Sequence, residues 1–400
     1  MNLPPRPHPC TRSPRVDRVN GWLESAWRKG ISAKPSLDPD NLWSKALRDA
    51  EPAGEQGPRS PADMADFRLR LEILCESLET EARLNPLGLT MAHGQLVRAI
   101  RQRLELGTLW QAEPELLETP LAPPVIVVGH MRSGTTRIHR LLASDPALSS
   151  TRFCDSWHPL PRTPDTRPVW SALSLMFARV LDPWLDAIHP FGVTRADEEL
   201  GWLATALDHS SYEAQWRIPS YTAFSEARDP APLYREFANI LRTDASWHGN
   251  ANQSRVLKVP QFAEDLPALL AQFPEARVVR TRRCPSDTAA SAASLVANQM
   301  AIQSDHVDFD WIESEAERKI ALRQQRMDSA LASFAGPLAV VDFEALNTNW
   351  EDEIGRVYGL LGMELSAQAL AAMRSEQGRA KTSAHREHAA QLRKFSETAA

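Results

Sequence analysis

Apolar positions along this chain follow two periods, and the change from one to the other divides it. Phe67, Leu71, Leu74 and Leu78 recur at steps of three and four residues, the repeat of one helix face, which predicts an amphipathic helix over 62–84. Asn85-Pro86-Leu87-Gly88 breaks it, and Leu96, Ile100 and Leu104 predict a second helix. Asp40–Arg48 reads as a short helix and Glu51–Pro61, with its Pro and Gly, as a linker. From residue 125 the pattern changes. Val125–Val128, Val256–Val259, Arg277–Thr281 and Leu338–Val341 are short runs rich in β-branched residues. Each leads into a helical stretch, at 137–143, around 265–272, at 286–295 and at 350–361. Such alternation implies a parallel sheet with helices on both faces, an α/β fold.

The expected organisation follows. Residues 1–20 hold five prolines and four arginines with almost no apolar period, and are expected to be disordered. Residues 21–120 form a helical N-terminal region, and 121–400 the α/β domain. Within it, 151–250 is a large helical insertion carrying Trp157, Trp170, Trp184, Trp202, Trp216 and Trp247. An acceptor pocket or lid is expected there, although tryptophans at helical spacing also serve as core.

Charge and composition narrow the picture. A net charge of −6 argues against general affinity for nucleic acid, so any anion site must be a local basic focus. Cys10, Cys75, Cys154 and Cys284 are scattered, without a CxxC pair or metal-ligand spacing, as expected of plain thiols in a reducing compartment. The first residues lack an apolar signal-peptide core. The most apolar stretch, Val169–Phe191, is broken by Arg179, Asp182, Pro183 and Asp186, so no transmembrane segment is expected and the cytoplasm is the expected location.

Candidate chemistry begins at Gly129-His-Met-Arg-Ser-Gly-Thr-Thr136. A strand, a glycine-bounded loop and a helix start together aim unpaired N–H groups and the helix dipole at one anion. The Gly129–Gly134 spacing is that of a phosphate-binding loop, but Thr135 stands where a nucleotide triphosphatase carries lysine. Further on, the strand Val278–Arg282 ends in arginines and turns at Pro285 into a helix, with Ser291 eight residues after Arg283. An arginine fork and a serine hydroxyl placed so can converge on a second phosphate. Lys258 closes another strand, at the end where open α/β sheets bind ligands.

With both elements in order, the chain resembles the sulfotransferases that use 3′-phosphoadenosine 5′-phosphosulfate (PAPS), in particular a bacterial branch distantly related to the tyrosylprotein sulfotransferases. Arg132-Ser133-Gly134-Thr135-Thr136 is similar to the family's 5′-phosphosulfate loop, Arg283 and Ser291 to its 3′-phosphate pair, and Leu257-Lys258-Val259-Pro260 to its Leu-Lys-x-Pro strand end. A basic segment at Arg379–Lys381 loosely matches a further 3′-phosphate element. The resemblance implies a P-loop-type sheet, PAPS as sulfuryl donor and in-line, metal-independent transfer to an acceptor hydroxyl. A small molecule, a lipid or a carbohydrate could carry that hydroxyl. It also implies that Lys258 meets negative charge as it develops.

The base that takes the acceptor proton has three candidates. By the resemblance, a glutamate is expected about twenty residues past the loop arginine, and Asp155 in Phe153-Cys-Asp-Ser-Trp-His158 is the nearest match. His158 has the right intrinsic pKa, and Asp197-Glu198-Glu199 is an acidic cluster of a kind that recurs in the branch. Two other readings stand beside this one. A P-loop kinase or triphosphatase would use Asp342, after the apolar strand 338–341, to hold magnesium, and a PAPS-binding module would have lost catalysis.

Overall fold

The computed structural model describes residues 6–380. It opens with four helices, α1 (Pro14–Arg28), α2 (Pro39–Ala46), α3 (Pro61–Thr80) and α4 (Pro86–Ala112). The same local code starts all four. Proline occupies the first turn, where its missing N–H costs nothing, and the residue before it caps the helix. Ser13, Asp38, Ser60 and Asn85 accept from the backbone N–H groups of Arg15, Asn41, Asp63 and Gly88. These helices share one core with the later insertion: Phe67, Leu71, Leu74, Leu96 and Ile100 pack in a cluster that also holds Tyr212, Trp216 and Tyr221.

The sheet has five parallel strands in the order β2-β3-β1-β4-β5. They are β1 (Val125–Val128), β2 (Ser149–Ser150), β3 (Arg255–Leu257), β4 (Arg277–Arg282) and β5 (Leu338–Asp342). Central β1 pairs Val125 with Val256 on one side and Val127 with Val279 on the other. Its unbroken apolar run follows from burial on both faces. Ile126 and Val128 enter a core with Phe237, Leu241 and Leu266, and Val125 and Val127 one with Ile138, Val341 and Tyr358.

Helix α5 (Thr135–Leu142) follows β1, and six helices lie between β2 and β3: α6 (Phe153–Trp157), α7 (Arg167–Leu181), α8 (Leu185–Ile188), α9 (Leu200–Ala204), α10 (Pro219–Glu226) and α11 (Ala231–His248). After β3 comes α12 (Phe262–Gln272), after β4 come α13 (Pro285–Gln303) and α14 (Phe309–Ala332), and after β5 come α15 (Phe343–Thr348), α16 (Trp350–Leu360) and α17 (Ala367–Ala380).

One expectation needs correction. Residues 14–20 are not disordered: they open α1, where Val16 is fully buried and the Asn20 side chain accepts from Leu87 N–H at 2.8 Å. Residues 1–5 lie outside the described part. The tryptophans of the insertion do not gather into a pocket. Trp202 and Trp216 are core, Trp170 and Trp247 are exposed, and among the six Trp157 is the one in the wall of the main cavity. Helix α14 and the two-residue strand β2 had no reading from sequence. Among the described residues no helix is long and apolar enough to cross a membrane.

Candidate active site

The C-terminal ends of β1, β3 and β4 open into one cavity of about 1250 Å³. The β1–α5 loop forms its floor. Arg132 and Gly134 hold positive φ values of 70° and 95°, a backbone that turns successive amides toward one point. At Gly134 a side chain is excluded twice, by that φ and by the Phe343 ring, which a Cβ would meet at 2.6 Å. Ser133 anchors the loop. Its Oγ donates to the His130 carbonyl at 2.7 Å and lies 2.7 Å from Thr281 Oγ1 on β4. Thr135 and Thr136 begin α5, so their N–H groups have no carbonyl one turn back.

Two arginines meet beside this loop. Arg132 Nε donates to Ser291 Oγ at 3.0 Å, and Arg283 donates to the Arg132 carbonyl at 2.9 Å. Burial and the nearby Arg283 push the Arg132 guanidinium down to about 10. Two cations held together in a buried cavity favour an anion between them. The Arg283 guanidinium lies over the Phe343 ring, 4.5 Å from its centre, and its buried Nε has no hydrogen-bond partner among the described residues. Arg140, one turn beyond Thr136 on α5, adds a further cation to the cavity wall. Sequence reading missed Arg140, although a four-residue step from Thr136 puts both on one helix face. Phe343 left no sequence signal, since only tertiary packing brings it to the loop.

Lys258 is buried at the end of β3, clamped by consecutive carboxylates. Its Nζ donates to Thr136 Oγ1 at 3.0 Å and pairs with Glu198, while its backbone N–H donates to Glu199 Oε2 at 2.9 Å. Glu198 faces the cavity and Glu199 is sealed behind it. Burial pushes the Glu199 carboxyl up to about 8, against the pull of the Lys258 amide. A carboxyl whose pKa is higher folded than unfolded stabilises the fold fully below about 4.5, and that contribution is lost as pH rises through about 8. The melting temperature should therefore fall less steeply from pH 5 to 8 in Glu199→Gln than in the wild type. Parallel curves in a thermal-melt series across that window would remove Glu199 as the cause.

Neither sequence candidate in the 153–158 segment is placed for base chemistry as expected. Asp155 is a correction: it is buried outside the cavity lining. Arg152 donates to its two oxygens at 2.6 and 2.8 Å, Arg167 lies at 3.3 Å and His248 at 3.4 Å. Burial alone would raise its carboxyl, but these cationic and hydrogen-bonding partners hold it well below the usual carboxylate range. There it counters the charge of Arg152 and of buried Arg167. His158 does line the cavity, yet burial and the arginines at 98, 167 and 162 push it down to about 4, leaving a weak base. Of the acidic cluster, Glu198 stands against Lys258. Lys381, of the basic C-terminal segment, lies outside the described residues, and Asp342, the alternative magnesium ligand, is not in the cavity wall.

A phosphate-type loop on a parallel sheet, ringed by a lysine and arginines, makes this an α/β protein with a cavity whose charge suits an anionic group. Comparison gives the family. The chain belongs to the sulfotransferase family, whose model matches residues 123–367. The solved sulfotransferase STF1 of Mycobacterium tuberculosis is 25% identical with a TM-score of 0.73, over 89% of this chain and 97% of that one. Sulfotransferase STF9 of Mycobacterium avium has the same fold, at 21% identity and a TM-score of 0.74, over 90% and 95% of the two chains. No curated protein matches the chain significantly.

Proposed function

We propose that the protein transfers the sulfuryl group of PAPS to an acceptor hydroxyl, with Lys258 and Glu198 as its catalytic residues. The observation that carries this reading is the meeting of Arg132, Arg283 and Ser291 at the loop, with Lys258 on Thr136 at its other end. The residues suit the donor. The amides and hydroxyls of Ser133 to Thr136 fit the 5′-phosphosulfate, and Arg283 and Ser291 fit the 3′-phosphate, giving the orphaned Arg283 Nε a partner. In the step itself, the acceptor oxygen bonds to sulfur as the bond from sulfur to the bridging phosphate oxygen breaks. Charge builds on that bridging oxygen, where the Lys258 ammonium and the loop donors stabilise it. The acceptor proton passes to Glu198, and adenosine 3′,5′-bisphosphate leaves. The positive charge such a transfer needs is supplied by Lys258, Arg132, Arg283 and Arg140. Four free cysteines fit a reducing, cytoplasmic setting.

Arg283→Ala and Ser291→Ala should weaken adenosine 3′,5′-bisphosphate about 10–100-fold, the cost of one charge-assisted hydrogen bond, and leave adenosine 5′-monophosphate nearly unchanged. Calorimetry with both nucleotides reads the difference, and equal losses would refute the 3′-phosphate assignment. Transfer of labelled sulfate from PAPS to a component of host extract tests the reaction as a whole. A magnesium-dependent ATPase activity with no sulfate transfer would favour the kinase reading instead.

A further inference from the structure

Helix α7 turns an apolar face outward. Val169, Trp170, Leu173, Met176, Phe177 and Val180 are 46–59% exposed. At 3.6 residues per turn they fall within one arc of about 120°. The helix contains no Asp or Glu. Its other side, through Ser171, Leu175 and Leu181, is buried and forms wall of the main cavity. Phe177 belongs to both, half-exposed outside and lining the cavity within. The outer apolar face of α7 therefore meets the cavity lining at Phe177.

One face of the neighbouring helix α1 is basic. Arg15 on α1 donates to the Val180 carbonyl at 3.1 Å. Arg15, Arg18, Trp22 and Lys29 share a face by their spacing, while Asp17 and Glu24 fall on another. Trp22 is 70% exposed. An apolar stripe with Trp and Phe, edged by arginine and lysine, has the chemistry of a segment lying in a lipid headgroup layer. At fifteen residues α7 is too short to span a bilayer.

We propose that α7, with the basic face of α1, seats the protein on an anionic lipid surface, from which an amphiphilic hydroxyl acceptor slides past Phe177 into the cavity. The acceptor part rests on the sulfotransfer reading, whereas the seating does not. The test is co-sedimentation of the full chain with vesicles of equal parts phosphatidylcholine and phosphatidylglycerol, and with phosphatidylcholine alone. No donor or acceptor is present. The wild type should bind the mixed vesicles better than the neutral ones. Trp170→Glu with Leu173→Glu should lower the partition coefficient by about tenfold or more, and Leu360→Glu, at an exposed apolar position of α16, should not. Binding of adenosine 3′,5′-bisphosphate reports that each variant is folded and tests the sulfotransfer reading separately. If the double variant does not fold, Trp170→Ser takes its place. Failure of the wild type to bind vesicles, or an equal loss with Leu360→Glu, overturns the proposal. So does a dimer in sedimentation that Trp170→Glu with Leu173→Glu dissolves, which would give the face to a second copy.

Discussion

Replacing Lys258 with alanine is expected to lower kcat by about 10²–10³, the usual effect of removing one transition-state donor, with affinity for adenosine 3′,5′-bisphosphate little changed. The structure explains the split. The ammonium is buried at the strand end, held by Thr136 and Glu198, where on the proposed reading the bridging oxygen would gain charge. On the proposed reading the nucleotide's ground-state charges would be met elsewhere, by the loop amides and by Arg132 and Arg283, which meet beside the loop. An interaction made only in the transition state lowers kcat without weakening binding. Lys258→Arg should recover little, because a planar fork cannot fill the seat of a compact ammonium between Thr136 and Glu198. Nucleotide calorimetry beside steady-state kinetics checks this. A large loss of nucleotide affinity with kcat intact would make Lys258 a binding residue.

Glu198→Gln is expected to lower kcat by about 10²–10⁴, the range for losing a general base, and to remove the base-dependent limb of the pH–rate profile. Because Glu198 and Lys258 are paired, their effects should not add. The double variant should fall little below the weaker single one, as for groups that act as a unit. Glu198→Asp should restore part of the rate, since it keeps the carboxylate. The rival candidates separate cleanly. His158→Gln should stay within a few-fold of the wild type. Asp155→Asn should lose stability rather than chemistry, because it strips the bidentate partner of Arg152 and one of the two counter-charges of buried Arg167, which keeps Asp165. Near-normal turnover in Glu198→Gln together with its loss in His158→Gln would move the base to His158.

These outcomes turn on the boundary between what is written locally in the chain and what is not. The four N-terminal helices announce themselves through Ser, Asp or Asn before Pro, because capping and proline geometry involve neighbouring residues only. The α1 start was written there too, and the many prolines of its lead-in obscured it. The strand β1, the left-handed Gly134 and the helix after it are likewise local, so the anion loop was legible, as were the eight-residue step from Arg283 to Ser291 and the strand-end position of Lys258. The parallel sheet followed from strand–helix alternation.

Its strand order, with β1 between β3 and β4, needed the tertiary structure, and so did the identity of the carboxylate that meets the lysine. Asp155 and Glu198 are both acidic residues near a helix start. One is closed off by Arg152 and Arg167, and the other reaches Lys258 across sixty positions of chain. Helix α7 makes the same point from the outside. Its sequence shows apolar residues on more than one side, and only packing decides which side faces the cavity and which faces solvent. Periodicity and capping act over a few residues, so the sequence by itself determined the elements and the anion loop. Charge pairing and burial act between elements, so only the tertiary structure decided which acid meets Lys258 and which apolar face was left uncovered.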